Sequence, residues 1–178
     1  MTIREVTLSD NQSLAELLET IDGESSFMLY EKNERNTSAK QVEGIISSFL
    51  KSTNSKLLVA EEGNKLVGYI MAIGGKTNKN KHSAYLVLGV SKRHAGKGIG
   101  TKLMTSIEEW AKETGIIRLE LTTMIHNESA LALYRKMGFE VEGLKRRSFI
   151  IDEKSVDEYY MAKLLDWSLL THDKSDFI

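Results

Sequence analysis

Two groups of residues have types and spacings that could do chemistry. The first is Arg93-His94-Ala95-Gly96-Lys97-Gly98-Ile99-Gly100-Thr101. Glycines at alternate positions let a backbone approach a bulky anion and turn sharply, and the first amides of a helix starting there are unpaired and point outward. Those amides and the helix dipole favour a phosphate or pyrophosphate, and Arg93 and Lys97 add formal charge beside them. The second group runs from Asn127 through Ala130 and Tyr134 to Gly138 and Phe139. Asn127 and Tyr134 stand two helical turns apart, so they share a face with the small Ala130. A phenol with an ordinary pKa of about 10 stays protonated at neutral pH and can donate its proton as a general acid.

The elements around these groups can be read from periodicity. Tyr85 to Val90 is a short apolar run of strand formers, and Ile99, Leu103, Ile107, Trp110 and Ala111 mark one face of a helix that ends at Gly115. The glycine loop therefore joins a strand to a helix. It is not a P-loop, because Lys97 is followed by Gly98 and the position five before Gly96 is Ser91. It is not a dinucleotide fingerprint either, since the third glycine is replaced by Thr101 or Leu103, depending on the start. Asn127 is a natural N-cap and Gly138 a natural C-cap of a short helix.

The remaining segments follow in order. Ile3 to Val6 makes a short strand, and Ser9 or Asp10 caps a helix with Leu14, Leu17, Leu18 and Ile21 on its apolar face, ending near Gly23. Glu24 to Asn36 has no single period and reads as a loop, either a connector with a hydrophobic plug or a wall of the substrate site. Thr37 or Ser38 caps a second helix carrying Val42, Ile45, Ile46, Phe49 and Leu50. Lys56 to Glu61 and Lys65 to Ile73 form a hairpin around Gly63-Asn64, and 74–81 is a lysine-rich loop. Ile116 to Thr123 is another strand. A strand after Phe139, bent at Gly143, turns at Asp152 to Ser155 and pairs with Val156 to Leu164. Alternating strands and helices predict an α/β domain with a mixed sheet.

A chain of 178 residues suits one domain, expected over 1–165, with a tail at 166–178 whose Trp167, Leu169 and Leu170 pack on the domain or on a partner. The formal net charge of -1 favours neither nucleic acid nor an anionic membrane. Cysteine is absent, which excludes disulfides, thiol catalysis and thiolate metal sites. His82, His94 and His126 show no metal-ligand spacing, so no metal is expected. The amino terminus lacks a signal-peptide core and no run approaches a membrane span, so a cytoplasmic protein is expected.

Arg93-x-x-Gly96-x-Gly98 after an apolar strand resembles the acetyl-CoA loop of the GNAT acetyltransferases, and Asn127 to Phe139 resembles a second GNAT segment, matched at Asn127, Ala130, Tyr134, Gly138 and Phe139. The resemblance covers roughly Ile3 to Leu165 and is strongest between Val87 and Phe139. It implies the GNAT fold, an α/β (α+β) architecture with a mixed, mostly antiparallel sheet of about six to seven strands flanked by about four helices. It also implies an enzyme that moves an acetyl group from acetyl-CoA directly to an amine of a small molecule or peptide. Backbone of Leu88 and Val90 would pair with the pantetheine arm, while amides of Ala95 to Thr101, including Gly96, Lys97, Gly98 and Gly100, would hold the pyrophosphate with Arg93 and the Thr101 hydroxyl. Lys136 can reach the 3'-phosphate or stay solvated.

By the same resemblance, Tyr134 protonates the leaving thiolate, Asn127 positions the cofactor arm or a water, and an amide near Val90 stabilises the oxyanion. The proton acceptor for the amine stays open among Glu120, His82, Glu24, Glu31, Glu34 and water. Related enzymes acting on protein amino termini carry an acid nearer the strand end, where Thr122 and Thr123 stand here. The alternative from another class is a non-catalytic acyl-CoA sensor, against which the retention of both Asn127 and Tyr134 speaks. An exposed strand edge or the apolar tail could support a homodimer.

Overall fold

The computed structural model describes residues 1–165. In chain order the elements are β1 (Thr2–Glu5), α1 (Asn11–Glu24), α2 (Ala39–Lys51), β2 (Lys56–Glu62), β3 (Lys65–Gly74), β4 (Ser83–Val90), α3 (Ile99–Thr114), β5 (Arg118–Met124), α4 (Glu128–Lys136), β6 (Glu140–Ile151) and β7 (Lys154–Leu164). The expected strands and helices are all present. The tail expected at 166–178 lies outside the described residues. No helix among them is long and apolar enough to cross a membrane.

The seven strands form one sheet in the order β1-β2-β3-β4-β5-β7-β6. Only β4 and β5 run parallel; every other neighbouring pair is antiparallel. Alternation along the strands splits the interior into two cores. On one face Leu58, Ala60, Ile70, Ala84, Leu86, Leu119, Leu121 and Met161 pack under Leu103, Met104 and Ile107 of α3 and under Leu131 and Tyr134 of α4. On the other, Leu57, Val59 and Tyr69 pack under Leu14, Leu17, Leu18, Ile21, Val42 and Ile46 of α1 and α2.

Local chemistry sets the boundaries. Before α1 a 3-10 turn (Leu8–Asp10) intervenes, and Asp10 turns its carboxylate back to accept the Thr7 amide at 2.7 Å and two Arg4 guanidinium bonds at 2.8 Å each. Arg4 thereby holds the Asp10 carboxyl down at about 2, well under its ordinary 3.8. Ser38 caps α2 by accepting from Gln41, which returns a bond to the Ser38 amide at 2.8 Å. The β2–β3 turn has Gly63 and Asn64 both at positive φ, the geometry that matches the twist of a two-residue hairpin. In β6 the register slips between Val141 and Gly143, the bend expected at that glycine.

Candidate active site

The parallel seam between β4 and β5 is short. Only Ser83, Ala84 and Tyr85 are paired, with Arg118, Leu119 and Glu120. Beyond Tyr85 the two strands part, whereas β4 stays paired to β3 as far as Val90. Ser91 donates to Val67 at 2.9 Å and Gly75 to Ser83 at 2.9 Å, so the odd-numbered residues of β4 are those hydrogen-bonded to β3. The amides and carbonyls of Leu88 and Val90 therefore face the opening, with no β5 residue opposite them. That is a strand edge inside a sheet, ready to pair with an extended chain.

The glycine loop closes one end of this slot. Gly96 and Gly98 have φ of 73° and 76°, and a Cβ on either would touch nothing within 4 Å, so the backbone conformation rather than packing requires glycine. Gly98 is the N-cap of α3, and its carbonyl accepts from Lys102 at 3.1 Å. The amides of Ile99, Gly100 and Thr101 are the unpaired first-turn donors. Arg93, Ala95 and Lys97 are exposed, and neither cation meets a carboxylate among the described residues. At Gly100 a Cβ would come within 2.9 Å of the far end of the Leu133 side chain, so α4 packs closely over the first turn of α3. The loop is fastened from both sides: the Lys92 amide donates to Glu24 at 2.7 Å, and His94 bonds Ser91 at 2.7 Å and lies 3.3 Å from Glu62. His94 is thus a brace for the loop rather than an exposed side chain.

Tyr134 sits on α4 with 8% of its surface exposed, its ring tilted against Phe139 at 6.0 Å between centroids. Its hydroxyl bonds no described residue, yet no fully buried side-chain polar atom lacks a partner among them, so the oxygen reaches an accessible surface. Burial pushes its pKa above the ordinary phenol value, and the Tyr85 and Tyr69 hydroxyls push the same way. It is a protonated donor at any working pH. Asn127 is the N-cap expected: its Oδ1 accepts from the Ala130 amide at 3.2 Å and from Ser129 at 3.1 Å, leaving its Nδ2 without a described partner. Gly138 at φ 84° follows the Met137 cap and ends the helix.

The sheet face opposite α3 and α4 is open beside the parting strands. Tyr85, 36% exposed, bonds Thr122 at 2.8 Å, and Tyr160 beside them is 48% exposed. Glu120, paired in register with Tyr85, takes a 2.7 Å bond from Arg118 on one oxygen; Arg118 also pairs with Glu142. Glu120 is part-exposed, whereas Glu158 of β7, opposite the end of β5, is buried at 5% exposure and lies 3.1 Å from Lys145. Phe27, from the connection between α1 and α2, packs on His126 at 5.3 Å and so lies against the end of β5.

A family model described as the acetyltransferase (GNAT) family matches residues 16–139. The chain belongs to that family. The N-alpha-acetyltransferase RimI of Mycobacterium tuberculosis is 33% identical over 115 residues, 64% of this GNAT chain and 69% of the relative. The L-amino acid N-acetyltransferase AaaT of Escherichia coli is 30% identical over 113 residues, 61% of this chain and 68% of the relative. A GNAT-family acetyltransferase from Streptococcus pneumoniae superposes with a TM-score of 0.89 at 29% identity, over 93% of this chain and 99% of its own.

Within this GNAT acetyltransferase the expected residues separate into those gathered at the slot and those elsewhere. Leu88, Val90, the 93–101 loop, Asn127 and Tyr134 surround the parted strands. His82 does not: its carbonyl accepts from Ile117 and Arg118 at the far end of β4, roughly 25 Å of strand from Val90. Glu24 is committed to the Lys92 amide, and Glu34 to the Glu31 amide at 2.8 Å. Sequence reasoning missed Tyr85, Glu158 and Lys145: the β4–β5 seam brings Tyr85 to Thr122, and only the order β5-β7-β6 sets Glu158 opposite Met124 and Lys145 opposite Glu158.

Proposed function

We propose that this acetyltransferase transfers an acetyl group from acetyl-CoA to the amine of a small molecule or peptide. The observation that carries the reading is the slot: free backbone groups at Leu88 and Val90 leading straight to three unpaired amides at the start of α3. An extended arm ending in a pyrophosphate fits that sequence of donors, edge first and helix terminus second. Arg93 and Lys97 complement the phosphates, and the Thr101 hydroxyl adds a donor.

Acetyl-CoA would supply an activated carbonyl and a thiolate leaving group. Tyr134 Oη holds a proton in an environment that disfavours the phenolate and donates it to the departing sulfur. The Val90 amide, free on the slot side, stabilises charge developing on the carbonyl oxygen. Asn127 holds the start of α4, and hence the helix carrying Tyr134, while its Nδ2 remains available to the cofactor arm. Glu120 is the proposed proton acceptor for the amine, held in orientation by Arg118, with its second oxygen free among the described residues. The neighbouring open face, with Tyr85, Thr122 and Tyr160, is the approach for the acceptor.

The test is a thermal shift with acetyl-CoA followed by thiol release against polyamines, aminoglycosides, amino acids and short peptides. Stabilisation with thiol release on one class supports the transferase. Stabilisation with no thiol release on any amine would favour an acyl-CoA sensor, and no stabilisation would overturn the cofactor reading.

A further inference from the structure

A cavity of about 410 Å³ opens beyond the end of β5, between the β5–α4 connection and the middle of the β6–β7 hairpin. Its lining includes Ile125, His126, Arg146, Arg147, Val156 and Asp157. Two arginines reach it through an irregularity in β6. Lys145 pairs with Glu158 and Phe149 with Val156, so Arg146, Arg147 and Ser148 stand opposite Asp157 alone. Arg147 adopts φ 52°, a left-handed conformation that side chains rarely take. Asp157 pins the bulge: its carboxylate accepts the Arg147 amide at 2.7 Å, and its carbonyl accepts the Ile125 amide at 3.1 Å. The strained residue is thus fixed to β7, and β7 to the end of β5. Strain of this kind, held by neighbours, is typical of functional positions.

The charges at this bulge are uncommitted. Arg4, Arg35 and Arg118 each meet a carboxylate within 2.8 Å, whereas the exposed Arg146 and Arg147 side chains meet none among the described residues. The one anion in the lining, Asp157, is engaged with backbone. The cavity also adjoins the start of α4, since Ile125 and His126 in its lining immediately precede Asn127. His126 is next to Asn127, the cap of the helix bearing Tyr134, and Phe27 covers it from the connection between α1 and α2.

We propose that this cavity is an anion subsite for the acceptor, so that the amine substrate carries a carboxylate which the Arg146 and Arg147 guanidiniums bind. The inference rests on the transferase reading above and narrows its substrate class. A planar fork of donors suits a carboxylate in two-point contact, and two adjacent arginines supply more than one such fork. His126 completes the rim.

The experiment uses the full chain with CoA bound and a series of ω-amino acids from glycine to aminohexanoate, each with its neutral carboxamide. Affinities are measured by titration calorimetry, and thiol release is followed separately with acetyl-CoA. At least one acid should bind about tenfold tighter than its amide, and this preference should vanish in Arg147→Gly and in the Arg146→Gln/Arg147→Gly double variant. Glycine accepts φ 52°, so Arg147→Gly should melt no lower than the parent, which separates lost recognition from lost folding. Equal affinity for every acid and its amide, or a preference that survives the double variant, overturns the subsite. Thiol release without any acid preference overturns the subsite and leaves the transferase standing. An acid preference without thiol release on any amine leaves a carboxylate site at the two arginines but overturns the transferase reading and, with it, the acceptor role of that site.

Discussion

Replacing Asn127 by Ala and by Asp separates two jobs that this residue holds at once. Its Oδ1 accepts the Ala130 amide at 3.2 Å, and its backbone carbonyl accepts Leu131 at 3.0 Å, so it closes the first turn of a helix only nine residues long. Removing such a cap costs about 1 kcal/mol, which in a chain of this size lowers the melting temperature by roughly 2–4 °C. Asn127→Ala should show that loss. Asn127→Asp keeps the acceptor and adds a negative charge at a helix N-terminus, worth about 0.3–1 kcal/mol, so it should melt at or above the parent. The Nδ2 donor, which meets no described residue, is lost in both. If that donor contacts acetyl-CoA, each variant should raise its KM by roughly 2–10-fold, the value of one hydrogen bond. Differential scanning fluorimetry and steady-state thiol release read the two effects separately. An unchanged melting temperature in Asn127→Ala would refute the capping energetics, and a parental acetyl-CoA KM in Asn127→Asp would reduce Asn127 to a cap alone.

Tyr134→Phe should lower kcat by roughly 10² to 10⁴ with little change in acetyl-CoA affinity; because its hydroxyl bonds no described residue, melting should stay near parental, and an unchanged kcat would remove it from the chemistry. Gly98→Ala adds a Cβ that touches nothing but forces φ 76° on an alanine, so a loss of about 1–2 kcal/mol is expected, read by urea denaturation. Gly98→Glu should in addition abolish CoA binding through bulk and repulsion at the helix terminus, and normal binding by calorimetry would count against the loop assignment. Asp10, held at about 2 by Arg4, contributes stability that is present above its ordinary 3.8 and is lost as pH falls toward 2. Asp10→Asn should therefore be less stable at neutral pH but lose less between pH 4 and 2, and parallel acid limbs for the two proteins would contradict this.

The elements of the fold were legible because their signals are local. Ser38 with Gln41 three residues on, Gly63-Asn64 between two apolar runs, and Gly115 after a periodic helix each state their own boundary. The loop at 93–101 and the pair Asn127 and Tyr134 were legible for the same reason. The open face was not. Strand order decides that β7 rather than β6 adjoins β5, and no spacing in the chain announces that Tyr160 will flank Thr122 or that Glu158 will meet Lys145. The bend at Gly143 was marked by its glycine, but the second irregularity is occupied by Arg147, whose side chain conceals the backbone it adopts. The commitments of His94 and Glu24 were not legible either, because their partners, Ser91, Glu62 and the Lys92 amide, are contacts of the folded loop.

The parting of β4 from β5 also has a mechanical meaning. The sheet amounts to two blades joined by a hinge three residue pairs long, and past Tyr85 the packing of α3 and α4 bridges them. An extended ligand arm bonded to Leu88 and Val90 would act as a splint across the gap. It would damp the opening of the blades as well as occupy a site. The signature is alternation: with ligand bound, amide hydrogen exchange should slow at Leu88 and Val90, while Val87 and Gly89, already tied to β3, change little.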